Sequence, residues 1–349
     1  MKQNITRRSC LKSSLAALAG TAVTGITPDL RAREKSRYPE AQDTLGLLEQ
    51  KKKIPIIFDS DIGGDIDDTW ALLMALECPE LDIRLVVSDS GHGTSRARLA
   101  AKYLDVCERT DVPVGVGIPN NNRPHNQSEW VGDYQLEDYP GNIYEDGVGA
   151  FIRTIKESPD PVTVVAIGGV PTVAEALKRD PTIVTNARFV GMHGSIRIGY
   201  GGSTKPVAEA NVRANPAALA TVFAAPWECT ITPLDTCGLV ILKGDKYQKL
   251  YQHKSAALRA LMENYRIWLP RASWMKPDYP LETRSTTLFD TVAVYLAFSE
   301  ALVEMEDLPI RVTDKGMTVI DPTKRSIRCA TRWKNREAYE DLLVERLLT

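Results

Sequence analysis

The sequence predicts an α/β fold with an open, mostly parallel central sheet and helices on both faces. Short apolar segments alternate along the chain with segments whose apolar residues recur every three or four positions, as in repeated βαβ units. In addition, a dense acidic turn lies between the first apolar segment, residues 54–58, and the first amphipathic one. Ligands bind at this edge of open α/β sheets, where strands end and helices begin.

The individual elements follow from their apolar patterns. Strands are expected where apolar and β-branched residues form short runs, at residues 54–58, 81–88, 112–116, 162–167, 188–192 and 228–231, and in a hairpin of residues 310–312 and 318–320. Helices are expected at residues 70–76, 95–108, 148–156, 172–178, 216–223, 246–269, 290–302 and 336–348. Residues 120–141 are polar and too long for a plain connection, so they predict a functional loop or flap.

The N-terminal region predicts an export signal rather than part of the fold. Arg7-Arg8 precede Lys12 and a weakly apolar run at residues 13–26, a pattern typical of twin-arginine signals. We therefore expect a signal at residues 1–32, a linker at residues 33–53 and one folded domain at residues 54–349. The expected location is periplasmic or extracellular.

The bulk composition limits the partners of the chain. A net charge of −2 gives no sign of a nucleic-acid surface, and no apolar run has the roughly 20 residues of a membrane span, so none is expected after signal removal. A homo-oligomer stays open. The six cysteines fit no metal spacing; Cys229 and Cys237 either pair in an oxidising compartment or stay separate buried thiols.

The acidic turn predicts a cation site. Five aspartates fall within ten residues: Asp59, Asp61, Asp65, Asp67 and Asp68. Two carboxylates about 4 Å apart repel by roughly 4 kcal/mol at an effective dielectric near 20, whereas a helix N-terminus returns only about 0.3–1 kcal/mol per anion. A converging cluster therefore needs a metal or raised pKa values, and oxygen ligands favour Ca²⁺ or Mg²⁺.

The acidic turn also resembles a family signature. Asp59-x-Asp61, a glycine turn and then Asp67-Asp68 before an apolar helix resemble the inosine/uridine-preferring nucleoside hydrolases. Four later segments resemble the family in the same order: VTVVAIGGVPTVAEAL at residues 162–177, FVGMHGS at 189–195, AEANVRANPAA at 208–218 and LFDTVAVYL at 288–296. The resemblance implies a Rossmann-like core and hydrolysis of the N-glycosidic bond of a small-molecule ribonucleoside.

The resemblance also implies a set of roles around one Ca²⁺ ion. Asp61 is expected both to bind the metal and to take a proton from the attacking water. Asp68, Asp290 and the backbone carbonyl of Ile167 are expected as further metal ligands. Asp67 is expected to bind a ribose hydroxyl. For Asp290, a plain helix N-cap is the alternative.

The substrate is expected to contact residues from three later segments. By resemblance, Glu209 and Asn211 bind the 5′ and 3′ side of the ribose. Trp274 follows Pro270 in an aromatic stretch and is the candidate for stacking on the base, whereas Tyr265 and Trp268 are equally well explained by helix packing.

Some positions depart from the family pattern. Five residues separate Asp61 from the aspartate pair, where three are commonest, so Asp65 becomes a rival metal ligand. Phe289 stands where many members carry a histidine that protonates the leaving base. His193 and His92 stand at positions near the expected pocket, so each is a candidate for lining it.

Two other functions remain open at this point. A phosphatase of the haloacid dehalogenase type also uses Asp-x-Asp after a strand and would make Asp59 the nucleophile. An exported nucleoside- or sugar-binding protein without catalysis is the other alternative, since the usual histidine is missing.

Overall fold

The computed structural model describes residues 52–276 and 278–349, which fall within one compact unit. The predicted signal at residues 1–32 and most of the predicted linker lie outside the described residues. No helix in the described ranges is long and apolar enough to cross a membrane. The five described cysteines are free thiols, so Cys229 and Cys237 are not paired.

One ten-stranded sheet organises the chain. Its strands are β1 (Ile54–Ser60), β2 (Leu81–Ser88), β3 (Val114–Gly115), β4 (Ile143–Tyr144), β5 (Val162–Ala166), β6 (Ala187–Met192), β7 (Cys229–Thr232), β8 (Val303–Val312), β9 (Thr318–Ile320) and β10 (Ser326–Trp333). Their order is β4-β3-β2-β1-β5-β6-β7-β10-β8-β9. Pairing is parallel from β4 to β10 and antiparallel for the last three strands. This confirms the predicted mostly parallel sheet.

Helices fill the connections between these strands. They are α1 (Asp67–Glu77), α2 (Gly93–Val106), α3 (Ser128–Val131), α4 (Gly147–Glu157), α5 (Pro171–Arg179), α6 (Ala210–Ala214), α7 (Pro216–Ala224), α8 (Gly244–Tyr251), α9 (Ala256–Trp268), α10 (Thr291–Leu296) and α11 (Arg336–Leu347). Two clusters of buried apolar residues pack between helices and sheet. Strand β1 contributes side chains to both clusters, since Phe58 belongs to one and Ile57 to the other. This is expected for a strand covered on both faces.

Some element boundaries differ from the predicted ones. The region predicted as one helix at residues 246–269 is two helices, since Ser255 caps the start of α9 by accepting from Leu258 N. The helix predicted at residues 290–302 ends at Leu296, and β8 begins at Val303. Strand β10 was not predicted, although it joins the parallel part of the sheet to the antiparallel edge.

The strand order places the site. In the sheet, β2 and β3 lie on one side of β1. Strand β5 lies on the other side of β1, and β6 and β7 follow it in that direction. Connections leave the carboxyl ends of β1 and β5 in opposite directions, which opens a crevice at this switch point. The loop of the acidic turn follows β1, and Ile167 follows β5.

Candidate active site

The carboxylates of the acidic turn are placed by the end of β1 and the start of α1. Helix α1 begins at Asp67, so Asp67 and Asp68 occupy its first turn, where the helix dipole favours negative charge. Both side chains are nevertheless buried. Ser60, the last residue of β1, donates from Oγ to Asp68 Oδ1 at 2.6 Å. This hydrogen bond holds the Asp68 carboxylate against the end of β1.

Asp290 joins this pair from the far end of the chain. It precedes α10 but makes no side-chain capping hydrogen bond, so a plain N-cap does not explain it. Its backbone N–H donates to Asp67 Oδ2 at 3.3 Å. Carboxylate oxygens of Asp67, Asp68 and Asp290 all lie within 4.8 Å of one another. The three residues thus form a buried group that could hold a metal ion.

Burial and mutual repulsion disfavour the state in which Asp67, Asp68 and Asp290 are all ionised. Burial raises the pKa of Asp290 well above its usual value, and the neighbouring Asp67 and Asp68 raise it further. The pKa values of Asp67 and Asp68 are raised in the same way, by burial first and then by nearby aspartates. A divalent cation would remove this repulsion, and an all-oxygen donor set suits Ca²⁺ or Mg²⁺.

Asp61 and Asp65 line the same cavity outside the group of three. Burial raises the pKa of Asp61, while the Arg96 guanidinium, 3.9 Å from Asp61 Oδ2, counteracts that rise. Asp65 Oδ1 accepts from Ile66 N at 2.7 Å, and burial raises the pKa of Asp65 to about 7. Of these two carboxylates, Asp61 is therefore the one that lies beside a guanidinium.

Glu209 and Asn211, the residues expected to bind ribose, both line the cavity and are referred to below as its inner wall. Glu209 is buried and caps α6, with its carboxylate accepting from the backbone N–H groups of Asn211 and Val212. Asn211 Nδ2 donates to the carbonyl of Ile167 at 3.0 Å and to that of Met192 at 3.1 Å. The carbonyl predicted as a metal ligand therefore lies against a polar side chain of the same wall.

Aromatic side chains, Trp274 and Phe289 among them, line the part of the cavity referred to below as its outer wall. Trp274 lines the cavity, is 58% exposed, and packs edge-on against Trp268 with ring centroids 5.9 Å apart. Phe289 also lines the cavity, with its ring 5.9 Å from that of Tyr200. Trp268 is fully buried. Trp274 is thus accessible from a cavity of about 690 Å³.

The two candidate histidines lie away from this cavity wall. His92 caps α2, where its Nδ1 accepts from Ser95 N at 3.3 Å. His193 is fully buried, packs on Phe189, and places Nε2 2.9 Å from the carbonyl oxygen of Gly168. Burial lowers the pKa of His193 to about 4, so the ring is neutral and Nε2–H donates. The expectation that these rings line the pocket is therefore corrected: both serve local backbone contacts.

Comparison with known proteins decides the family. The family model described as inosine-uridine preferring nucleoside hydrolase matches residues 56–348. The chain belongs to this family. Among curated relatives, the pyrimidine-specific ribonucleoside hydrolase RihA of Escherichia fergusonii is 31% identical over 314 residues, covering 84% of this chain and 98% of that protein. A probable uridine nucleosidase 2 of Arabidopsis thaliana is 26% identical, covering 78% and 85%.

Solved structures agree on the fold. The plant nucleoside hydrolase PpNRh1 superposes with a TM-score of 0.71 at 20% identity, covering 85% of this chain and 99% of that one. A purine-preferring ribonucleoside hydrolase of Gardnerella vaginalis gives 0.67 at 21% identity, covering 84% and 98%. These structures share the mostly parallel sheet of this chain. The family model and the curated relatives make this nucleoside hydrolase a hydrolase of N-glycosyl bonds.

The phosphatase alternative is not favoured in this nucleoside hydrolase. It requires Asp59 as an accessible nucleophile, but Asp59 is fully buried and does not line the cavity. Burial, and then the charges of Asp89 and Asp61, raise the pKa of Asp59 well above its usual value. An enclosed carboxyl that does not line the cavity cannot reach a phosphate bound there.

Several site residues of this nucleoside hydrolase were missed from its sequence. Arg96 on α2 reaches Asp61, and Tyr200 and Arg284 line the cavity. Asp89 follows β2 and accepts from Val170 N at 2.6 Å. Only Asp89 had a usable signal, since it is an acidic residue at the carboxyl end of a predicted strand.

Proposed function

We propose that this chain catalyses the calcium-dependent hydrolysis of ribonucleosides to ribose and free base. The observation that carries the proposal is the buried group of Asp67, Asp68 and Asp290, whose carboxylate oxygens lie within 4.8 Å of one another beside Asp61. Three mutually repelling acids at a cavity floor are stable only with a cation or with protons, and a cation serves the chemistry of the family.

The residues fit a hard divalent cation. Asp67, Asp68 and Asp290 would hold it. Ile167 and Asp65 line the same cavity, and the Ile167 carbonyl and the Asp65 carboxylate are proposed as further oxygen donors. Ca²⁺ accepts six to eight oxygen ligands in flexible geometry, which suits such a mixed set. When bound, the ion would orient the ribose diol and a water molecule and lower the pKa of that water.

Asp61 is the proposed general base. It lines the cavity outside the three-carboxylate group, and the guanidinium of Arg96 favours its ionised form. It would take the proton as the water oxygen bonds to C1′ and the bond from C1′ to the base nitrogen breaks. The electron pair of that bond leaves with the base, through an oxocarbenium-like transition state.

Glu209 and Asn211 are the proposed ribose contacts. Their side chains form the inner wall and are held in place by backbone hydrogen bonds, so the sugar would meet preorganised polar groups. Asp67 retains a proposed contact with a ribose hydroxyl in addition to its place in the metal group.

The leaving base is proposed to stack on Trp274. Phe289 carries no proton to donate, so base departure depends on other groups of the outer wall. RihA is named for pyrimidine ribonucleosides and the Gardnerella vaginalis protein for purine preference, and both classes belong in a substrate test.

Export through the twin-arginine pathway is proposed from Arg7-Arg8 and the run that follows. A periplasmic or extracellular nucleoside hydrolase would act on nucleosides outside the cytoplasm. The small molecule is then the principal partner, with no nucleic acid.

A reducing-sugar assay over a nucleoside panel tests the proposed function. Uridine, cytidine, inosine, guanosine and adenosine are incubated with enzyme, with Ca²⁺ and with a chelator, and p-nitrophenyl phosphate serves as the phosphatase control. We expect equal amounts of ribose and base from at least one nucleoside, dependent on Ca²⁺. Release of p-nitrophenol without any ribose would refute the proposal.

A further inference from the structure

The loop between β1 and α1 is held from outside by side chains of distant segments. Residues 62–66 form no helix or strand, yet they connect Asp61 to the aspartates of α1. Side-chain donors reach three of their carbonyls. Arg96 Nη1 donates to Ile62 O at 2.8 Å, Asn126 Nδ2 to Gly64 O at 2.9 Å and Gln127 Nε2 to Asp65 O at 2.9 Å.

Gln127 is the central residue of this arrangement. Its side chain is fully buried, and both ends of its amide are used. While Nε2 donates to Asp65 O, Oε1 accepts from Thr69 Oγ1 at 3.0 Å. Thr69 follows Asp68 in α1. One glutamine therefore joins the backbone of the loop to the helix that carries two acids of the three-carboxylate group.

Asn126 and Trp268 hold the middle of the loop. Trp268 Nε1 donates to Gly64 O at 3.0 Å, so this carbonyl accepts from two side chains. The backbone N–H of Asn126 also donates to Gly63 O at 2.9 Å. The carbonyl groups of Gly63 and Gly64 are therefore both hydrogen-bonded to other parts of the protein.

The loop also fits tightly against its surroundings. Gly63 has a φ of +100°, and a Cβ there would lie 2.6 Å from the His125 ring. Only glycine can adopt this backbone at this distance. The segment 125–127 thus contacts the loop through a ring, a main-chain N–H and two amide side chains.

We propose that Gln127, assisted by Asn126, is a positioning residue that sets the affinity of the three-carboxylate group for its cation. Its two hydrogen bonds fix the spacing between Asp65, near the end of the loop, and the helix that begins with Asp67 and Asp68. The inference rests on the proposed function for the presence of the cation. It assigns a role to part of the polar segment 120–141.

The expected size of the effect follows from comparable metal sites. Groups that hydrogen-bond to the residues around a metal typically change metal affinity or activity by about 10–100-fold when replaced. Gln127→Met keeps a similar shape but removes both hydrogen bonds, so the calcium dissociation constant should rise by about 10–100-fold. Asn126→Ala should have an effect at the low end, about 10-fold, because Trp268 still donates to Gly64 O.

Gln248 provides a matched control. It also joins a backbone carbonyl, that of Glu282, to a side chain, since its Oε1 accepts from Gln252 Nε2. It lies on α8 and does not line the cavity. Gln248→Met therefore removes the same chemistry at a site unrelated to the loop.

Isothermal titration of metal-stripped protein with Ca²⁺ alone tests the proposal, with thermal unfolding measured in parallel. Weaker Ca²⁺ binding in Gln127→Met, with binding unchanged in Gln248→Met, supports it. A lower melting temperature in Gln127→Met with an unchanged dissociation constant overturns it, because the glutamine is then only structural. If Gln127→Met does not fold, Asn126→Ala decides by the same criterion.

The titration also separates this proposal from the proposed function. If the parent protein binds Ca²⁺ but releases no ribose from any nucleoside, the proposed reaction fails while the dissociation constants still decide the role of Gln127. If the parent protein binds no Ca²⁺, the positioning proposal is overturned.

Discussion

Replacing Asp290 by asparagine should have opposite effects on the metal-free and the calcium-loaded protein. In the metal-free protein, carboxylates of Asp67, Asp68 and Asp290 lie within 4.8 Å of one another. At that separation two full charges repel by roughly 3.5 kcal/mol at an effective dielectric near 20. An asparagine side chain would be neutral and would offer N–H donors to the remaining carboxylates, so the metal-free variant should be more stable.

The pH dependence follows from the raised pKa values. Burial and the neighbouring acids raise the pKa of Asp290 in the folded state, so the folded metal-free protein binds its proton more tightly than the unfolded chain. Stability is then greatest below the unfolded pKa, about 3.9, and falls as pH rises toward the raised folded pKa. The Asp290→Asn variant should lose less stability over this interval.

Thermal unfolding measured with a chelator and with Ca²⁺ tests this. We expect a melting temperature several degrees higher for metal-free Asp290→Asn at pH 7, and a much smaller increase on adding Ca²⁺. Asp235 is a matched control, being a buried aspartate that accepts from Ile196 N and Arg197 N and does not line the cavity. A metal-free Asp290→Asn protein that is less stable than the parent, with an intact calcium shift, would refute the reasoning.

Three further predictions concern catalysis and export. Asp61→Asn should lower kcat by about 10²–10⁴-fold through loss of the general base, measured by base release; near-normal kcat would remove that role. Trp274→Ala should lower kcat/KM about 5- to 150-fold through loss of roughly 1–3 kcal/mol of stacking, and less for p-nitrophenyl riboside; equal losses on both substrates would exclude it from the base pocket. Arg7-Arg8→Lys-Lys should retain the precursor in the cytoplasm on cell fractionation, and unchanged export would indicate another route.

The central strands β1, β5 and β6 were predictable because they are covered on both faces and carry continuous apolar runs. Strand β10 was not, because its sequence SIRCATRW mixes arginines with small residues, and only its position between β7 and β8 explains it. The break between α8 and α9 had a local signal in Ser255, but good helix formers on either side made the pattern look continuous.

The site was predictable where a local motif carries it. The metal ligands expected from the sequence were Asp61, Asp68 and Asp290, with Asp67 on a ribose hydroxyl. The structure groups Asp67 with Asp68 and Asp290 and leaves Asp61 beside this group in the same cavity. The roles of His92 and His193 could not be predicted. A position within a motif does not show whether a ring points into a cavity or hydrogen-bonds to the backbone.

Contacts between segments far apart in sequence were also beyond prediction. Arg96 lies 34 residues from the carbonyl of Ile62 that it binds, and Gln127 lies 62 residues from that of Asp65. An arginine on an amphipathic helix and a glutamine in a polar loop look ordinary in isolation. Only tertiary packing turns them into partners of the acidic loop.

The most direct test of the central claim is the rate of base and ribose release by metal-stripped enzyme as free Ca²⁺ is increased. We expect negligible release with chelator, recovery as one Ca²⁺ binds per chain, and no recovery at the same Ca²⁺ concentration in Asp290→Asn. Full activity of the metal-stripped parent enzyme, or equal calcium dependence in Asp290→Asn, would contradict it.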